Sequence, residues 1–126
     1  MRMMMKALVR RLKSFVYALR GLAHLVRTQP NARVHLLATG LVCGAGMYCG
    51  LGRAEWLWLI VAMVLVWSAE AFNTALEQLA DAVHPERHPG IGRAKDAAAA
   101  AVLIAALGAA IIGVLVFLPY FAALRR

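Results

Sequence analysis

Acidic residues are scarce in this 126-residue chain, which has six Asp and Glu against fourteen Lys and Arg and a formal net charge of +8. A basic excess of this size can indicate nucleic-acid binding. Here, however, eight of the fourteen basic residues precede residue 34 and lie beside apolar segments rather than on an independent soluble surface. The distribution indicates a membrane orientation signal that faces anionic lipid, and it argues against a nucleic-acid partner.

Other common features are also missing. Cysteine occurs only at Cys43 and Cys49, which point to different sides of one predicted helix, so a disulfide or a metal pair is disfavoured. No GxxxxGK[ST] motif is present, so a nucleotide bound here would not be held by a P-loop. No small-residue cleavage site follows the basic N-terminal segment, which argues against a secretory signal peptide.

Apolar residues, in contrast, dominate the composition. They make up 63% of the chain, and the mean hydropathy is +0.70. This is too apolar for an ordinary soluble domain and is typical of a small multispanning membrane protein. We predict one all-α domain, residues 1–126, with a surface helix and three transmembrane helices.

Residues 1–33 never provide a long uncharged run, and we predict that they form an amphipathic helix lying flat on the membrane. Apolar side chains recur on one helical face, while basic side chains fall on another. The apolar face consists of Leu8, Leu12, Phe15, Leu19, Leu22 and Val26, and the basic face of Arg10, Lys13, Arg20 and Arg27.

The spans are predicted within helices at 34–51, 55–83 and 96–121. The first has eighteen residues without Lys, Arg, Asp or Glu, which is just long enough to cross a bilayer. In the second, only the fourteen residues 56–69 are uniformly apolar or small, giving about 21 Å of helix against roughly 30 Å of hydrocarbon. The helix must therefore continue into polar sequence, which places Glu70 at the lipid boundary.

The stretch from His84 to Gly92 contains two prolines and two glycines and is predicted to be a loop. Residues 1–33 and 84–96 together hold eleven Lys and Arg, whereas residues 51–55 and the terminal Arg125 and Arg126 hold three. This asymmetry predicts that the N-terminus and the 84–96 loop face the cytoplasm. The C-terminal arginine pair would then end outside.

Five of the six acidic residues lie between positions 67 and 100, and three of them share a helical stripe with an amide. Glu70, Asn73, Glu77 and Asp81 are spaced to occupy an arc of roughly 60 to 80° and about 16 Å of helix. Their oxygens suit Mg²⁺, and a carboxylate in this position can serve as a general base. The alternative is a solvated helix face. We favour a site because Glu70 follows directly on an apolar run.

Lys95 and Asp96 are predicted to open the third spanning helix. Asp is a common capping residue and Lys can extend its amine to the interface, so alone this pair would be structural. Beside an acidic stripe, a lysine at a helix N-terminus with free backbone N–H groups is a candidate phosphate clamp.

These polar residues resemble the motif of the prokaryotic diacylglycerol kinase family, which includes undecaprenol kinases. The matching positions are Glu70, Asn73, Glu77 and Asp81, then Gly92-Arg93-Ala94-Lys95-Asp96, then Ala100-Ala101-Val102-Leu103. The resemblance implies a homotrimer in the bacterial inner membrane that transfers the γ-phosphate of MgATP to the primary hydroxyl of a lipid.

The resemblance also implies residue roles. Glu70 would be the catalytic base and Glu77 a Mg²⁺ ligand. The nucleotide and the transferring phosphate would be organised by Asn73, Asp81, Lys95 and Asp96, with Arg10, Glu86, His88 and Gly92 at positions near the nucleotide. The sequence departs from the family at Gln29, where a second metal-binding glutamate is expected; the amide can still offer an oxygen, but without charge.

Two alternatives stand beside a diacylglycerol substrate. The segment 92–96 resembles the diacylglycerol branch, whereas Asn31-x-Arg33-x-His35 and His88-Pro89 resemble the undecaprenol branch, so diacylglycerol leads narrowly. A noncatalytic, holin-like membrane protein would also fit the short length and the basic N-terminus. It would leave the ordered polar stripe unexplained.

Overall fold

The computed structural model describes residues 2–86 and 88–123. Within these residues every regular element is an α-helix, which confirms the all-α prediction. The helices are α1 (Arg2–Thr28), α2 (Pro30–Cys49), α3 (Arg53–Val83) and α4 (Pro89–Ala123). Arg125 and Arg126 lie outside the described residues.

Two of the helices, α3 and α4, are long and apolar enough to cross a membrane. The crossing of α2 remains a prediction. Large apolar side chains such as Leu103, Ile104 and Ile111 are exposed along α4, and Val64 and Leu65 along α3. Surfaces of this kind need lipid or other protein chains to cover them.

The junction between α1 and α2 is a single residue, Gln29, followed by Pro30 as the first residue of α2. The predicted surface helix to residue 33 therefore ends five residues early, because proline breaks a continuing helix but fits the first turn of a new one. The guanidinium of Arg33 donates hydrogen bonds to the carbonyls of Val26 and Arg27. These bonds satisfy carbonyl groups that the end of α1 leaves free.

A tight turn at 50–52 joins α2 to α3. Gly50 has φ +66°, and its N–H bonds to the last carbonyls of α2, a left-handed cap that glycine adopts readily. The Glu55 carboxylate accepts a hydrogen bond from the backbone N–H of Gly52 at 2.6 Å and another from the Tyr120 hydroxyl of α4 at 2.8 Å. The Tyr120 bond thus ties α4 to the start of α3, directly after the turn from α2.

The apolar core lies beside this turn and runs between α3 and α4, the helix pair with the most extensive contact. Leu51, Leu59, Val116 and Phe117 form its buried cluster. Trp56 packs closely on α2, since a Cβ at Gly46 would lie 2.8 Å from its ring. The core packs against one end of α3, and the polar stripe lies at the other end of the same helix.

The start of α4 differs from the prediction. The helix begins at Pro89, not at 96, so Pro89, Gly90 and Gly92 form its first turn rather than part of a loop. Proline is favoured at the first helical position, where a missing N–H costs nothing. Lys95 and Asp96 consequently lie in the second turn, and the expectation that they open the helix is wrong.

Candidate active site

The polar stripe on α3 passes from a buried to an exposed environment. Glu70 is 1% exposed and Asn73 is 8% exposed, whereas Glu77 is half-buried and Asp81 is exposed. A solvated helix face would expose all four side chains. The first half of the stripe therefore faces protein, and only its far end faces water.

Glu70 meets a histidine from α2. The Nε2 atom of His35 lies 3.8 Å from Oε2 of Glu70, and the two side chains are 15% and 2% exposed. Neither atom has a hydrogen-bond partner. One turn further along α2, the Trp67 indole N–H donates to the Thr39 hydroxyl at 3.1 Å and holds α2 and α3 in register.

Asn73 and Glu77 form the middle of the stripe. The Asn73 amide donates to the Glu77 carboxylate, with 3.2 Å between Nδ2 and Oε1. The Asn73 Oδ1 atom is buried without a hydrogen-bond partner. An uncommitted amide oxygen beside a carboxylate is a donor set that fits Mg²⁺, which takes few protein ligands and completes its shell with water and phosphate oxygens. The described residues contain no cluster of three or more His, Cys, Asp or Glu.

The far end of the stripe opens into a polar pocket of about 420 Å³ between the end of α3 and the start of α4. The Lys95 amine contacts the Asp81 carboxylate, with 2.8 Å between Nζ and Oδ1. Among the predicted site residues, this pocket gathers Asp81, Glu86, His88, Gly92 and Lys95. The lysine amine and the histidine rings can bind an anionic ligand there, and the carboxylates of Asp81 and Glu86 can bind a cation that accompanies it.

The helix N-terminus in this pocket differs from the one expected at Lys95. The His88 ring Nδ1 accepts the N–H of Gly90 at 3.1 Å, and the His88 carbonyl accepts the N–H of Gly92 at 3.0 Å. Lys95 therefore contributes through its side chain, because its own N–H lies within the helix. Pro89 has no N–H, and the N–H groups of Gly90 and Gly92 are already bonded to His88, so a phosphate in this pocket would be contacted mainly by side chains.

Three predicted residues lie neither in this pocket nor on the polar stripe. Arg10 is exposed in the first half of α1, and Asp96 is exposed on α4 beside Lys95; neither lines the pocket. Gln29 is half-buried at the junction of α1 and α2, where its side chain makes no capping hydrogen bond. The predicted roles of these residues remain predictions.

The C-terminal part of α1 packs beside the stripe. His24 Nε2 and Gln78 Nε2 are 2.9 Å apart and form a hydrogen bond between α1 and α3. Leu25 is 4% exposed and Ala32 of α2 is fully buried. Earlier residues of the predicted apolar face, such as Leu8 and Phe15, are exposed.

Two histidines contact α3 in a way that the sequence did not predict. His35 and His24 stand within mixed apolar sequence, and neither spacing nor charge indicates which helix they face. The available signal was the position of His35 five residues after Pro30, at the same end of the bundle as Glu70. Only the packing of α2 against α3 shows that they meet.

An apolar groove of about 570 Å³ approaches the site from within the bundle. It lies between α2, α3 and α4 and includes small residues from each, among them Ala38, Ala62 and Ala106. His35 lines the groove as well as facing Glu70. The buried carboxylate therefore lies next to a space that suits a hydrocarbon chain.

The geometry, an apolar groove beside a buried carboxylate and a polar pocket further along the same helix, is that of a membrane enzyme with one apolar and one anionic substrate. The sequence model of the family described as prokaryotic diacylglycerol kinase matches residues 16–117. The chain belongs to this family, as its motif predicts, and it is a lipid kinase. The noncatalytic, holin-like alternative has no support.

Three relatives illustrate the similarity. The chain is 39% identical over 107 residues to undecaprenol kinase of Bacillus subtilis (strain 168), covering 85% of this chain and 87% of that protein. It is 36% identical over 109 residues to a diacylglycerol kinase of Synechocystis sp. (strain ATCC 27184 / PCC 6803 / Kazusa), covering 86% of this chain and 62% of that protein. It is 30% identical over 94 residues to a diacylglycerol kinase of Haemophilus influenzae (strain ATCC 51907 / DSM 11121 / KW20 / Rd), covering 75% of this chain and 80% of that protein.

Proposed function

We propose that this chain transfers the γ-phosphate of ATP to the primary hydroxyl of a membrane lipid, with Glu70 as the general base. The observation that carries the proposal is the Glu70 carboxylate itself, which is buried, lacks a hydrogen-bond partner and lies beside the apolar groove. A buried carboxylate without a partner is costly for stability, and a bound substrate would supply the missing partner, which supports a role in binding or chemistry.

The depth of Glu70 agrees with a lipid acceptor. It follows the start of α3 at Arg53 by seventeen residues, which corresponds to about 25 Å of helix, against roughly 30 Å of hydrocarbon. With the turn at 50–52 on the outer surface, Glu70 lies just inside the cytoplasmic edge. Glu77 and Asp81 then extend into the cytoplasmic interface, where ATP is available.

The membrane arrangement is part of the same proposal. α1 lies on the cytoplasmic surface of the bacterial inner membrane, with the N-terminus inside, and α2, α3 and α4 cross. The basic residues of α1 and the exposed apolar faces of α3 and α4 support this arrangement. The uncovered faces also support the homotrimer that the family resemblance implies, which cross-linking and light scattering in detergent would test.

ATP is proposed to occupy the polar pocket, with its γ-phosphate directed along the stripe towards Glu70. The Lys95 amine offsets phosphate charge, and Asp81 holds that amine in place. Asn73, Glu86, His88, Gly92 and Asp96 surround or position the nucleotide, and Arg10 approaches it if α1 of a neighbouring subunit contributes. Glu77 and the Gln29 amide oxygen would hold Mg²⁺, and the ion would supply positive charge to the phosphate oxygens when bound; Asn73 lies beside Glu77.

The chemistry is an in-line displacement. The lipid hydroxyl gives its proton to the Glu70 carboxylate as its oxygen forms a bond to the γ-phosphorus. The bond from that phosphorus to the β–γ bridging oxygen breaks, and ADP leaves with the electron pair. Glu70 then returns its proton to solvent. The groove and the stripe contribute mainly by holding the two substrates in line.

The choice of lipid is the finer part of the proposal. The 92–96 motif favours diacylglycerol narrowly, whereas the 39% identity to undecaprenol kinase over 87% of that protein supports a polyprenol. We propose undecaprenol as the first acceptor to test and diacylglycerol as the second. The apolar groove suits either hydrocarbon chain, because small residues offer shape without polar contacts.

The test is a side-by-side assay of the purified chain in mixed micelles. ATP consumption is measured with undecaprenol, with diacylglycerol and without added lipid, and the phosphorylated lipid is identified by mass spectrometry. Turnover that depends on one of the two lipids is expected. ATP consumption that neither lipid stimulates would contradict the proposed function.

A further inference from the structure

His35 and Glu70 leave a gap of defined size between their side chains. The 3.8 Å between His35 Nε2 and Glu70 Oε2 is too long for a direct hydrogen bond. Both atoms are buried without another hydrogen-bond partner. A buried polar atom without a partner is destabilising, so two of them facing each other call for a third group between them.

The gap fits one shared oxygen atom. An oxygen placed about 2.8 Å from each of the two atoms forms a triangle with them, whose third side is the 3.8 Å distance. The angle between its two hydrogen bonds is then close to a right angle. A hydroxyl group can accept a hydrogen bond in one of these directions and donate in the other. An imidazole N–H and a carboxylate are the complementary pair for this group.

The groove supplies a route by which such a hydroxyl reaches the gap. His35 is a polar residue on a wall otherwise formed largely by Ala38, Val42, Ala62 and other apolar side chains. A lipid chain lying in the groove would have its polar end beside the imidazole. The same imidazole therefore faces both the hydrocarbon chain and the catalytic carboxylate.

We propose that His35 binds the acceptor hydroxyl together with Glu70. The Nε2–H of His35 donates to the lipid oxygen, and the lipid O–H donates to Glu70 Oε2. On transfer the proton moves to Glu70, the lipid oxygen bonds to the γ-phosphorus and ADP leaves, while His35 keeps its own proton. The inference rests on the proposed lipid kinase function and adds a residue that recognises the acceptor rather than the nucleotide.

The test compares full-length His35→Leu and His35→Gln with His24→Leu as a matched control. His24 also forms a hydrogen bond between helices, from α1 to Gln78 of α3, but it does not face Glu70. KM and kcat are measured separately for lipid and for ATP in mixed micelles, using undecaprenol and dioleoylglycerol. Thermal unfolding and chromatography in detergent report folding and assembly.

His35→Leu is expected to lower kcat/KM for the lipid by about 10- to 100-fold, the effect of one lost hydrogen bond to the reacting oxygen, with KM for ATP changed less than about twofold. His35→Gln, which retains an N–H donor, should recover about a tenth or more of the wild-type value. His24→Leu should leave kcat/KM for both substrates unchanged.

Three results would overturn the inference: lipid kcat/KM of His35→Leu within about twofold of wild type, a KM for ATP raised as much as the KM for the lipid, or a Gln variant no better than Leu. If His35→Leu fails to assemble, His35→Met, which also lacks an N–H donor, takes its place: a lipid-specific loss that His35→Gln repairs supports the inference, and lipid kinetics like those of wild type oppose it. Wild-type chain without lipid-dependent turnover would instead count against the proposed function itself.

Discussion

Glu55 and Glu70 are carboxylates on the same helix, fifteen residues apart, in opposite surroundings. Glu55 is half-buried and fully engaged, because it accepts hydrogen bonds from the Gly52 N–H and the Tyr120 hydroxyl. Glu70 is 1% exposed, lacks a hydrogen-bond partner and faces His35 across a gap. The more deeply buried carboxylate is the less satisfied one.

The difference distinguishes a carboxylate that stabilises the fold from one that is available for function, within a single helix. A carboxylate that fastens helix ends has its lone pairs occupied and contributes to stability. One that must accept a proton from a substrate has to keep a lone pair available until the substrate arrives. Apolar sequence surrounds both residues, so the comparison depends on their partners and not on hydropathy.

The strongest test of this difference between Glu55 and Glu70 is to neutralise each carboxylate in turn. Glu70→Gln should lower lipid-dependent turnover by about 10²- to 10⁴-fold, the usual contribution of a general base, with assembly retained. Glu55→Gln, the matched control, should retain turnover within about twofold and mainly lower the thermal unfolding midpoint. Most of the wild-type activity in purified Glu70→Gln would remove Glu70 from the base role.

The next largest effect is expected at the exposed end of the stripe. Lys95→Met removes the amine that contacts Asp81 in the polar pocket and should lower kcat/KM for ATP by about 10- to 100-fold, with a smaller effect on the lipid KM. Arg93→Met is the control, since Arg93 is an exposed cation that does not line the pocket. Equal losses in both variants would indicate a general charge effect instead of a phosphate contact.

A smaller effect should follow from restoring charge at the α1–α2 junction. Gln29→Glu should lower the Mg²⁺ concentration for half-maximal activity by about two- to tenfold, because a carboxylate binds Mg²⁺ more strongly than an amide oxygen. Gln78→Glu adds the same charge on α3 and controls for nonspecific attraction. An unchanged or raised requirement in Gln29→Glu would count against a metal role at this position.

The smallest effect on the protein is expected at the end of α3 where Glu55 bonds to Tyr120. Tyr120→Phe removes the hydroxyl that donates to Glu55 and should lower stability by about 0.5–1.5 kcal/mol without altering turnover. Tyr48→Phe is a suitable control, because Tyr48 is 84% exposed. A loss of activity in Tyr120→Phe at full assembly would show that the two ends of α3 are coupled.

The helices and the polar stripe could be predicted from the sequence, because the spacing of apolar residues, the length of the apolar runs and the positions of the charges indicate them directly. The spacing of Glu70, Asn73, Glu77 and Asp81 is sufficient to place them on one side of a helix. Their gradual change from buried to exposed also follows from the place where the apolar run ends.

What sequence did not reveal depends on contacts between helices. The distance from His35 to Glu70 and the bond from Tyr120 to Glu55 join residues 35 and 65 positions apart, and no local pattern encodes them. The start of α4 was misplaced for another reason. Pro89 and the glycines after it are typical of loops, yet proline is equally suited to the first turn of a helix.

The connections between the described helices are short: one residue at Gln29, three at 50–52 and a brief turn before Pro89. Many soluble kinases exclude water by closing a mobile loop over the reacting phosphate. No connection described here has the length to do so. If Glu70 acts as proposed, the bilayer is the cover of this active site, and the rate of wasteful ATP hydrolysis becomes a property of the surrounding lipid as much as of the protein.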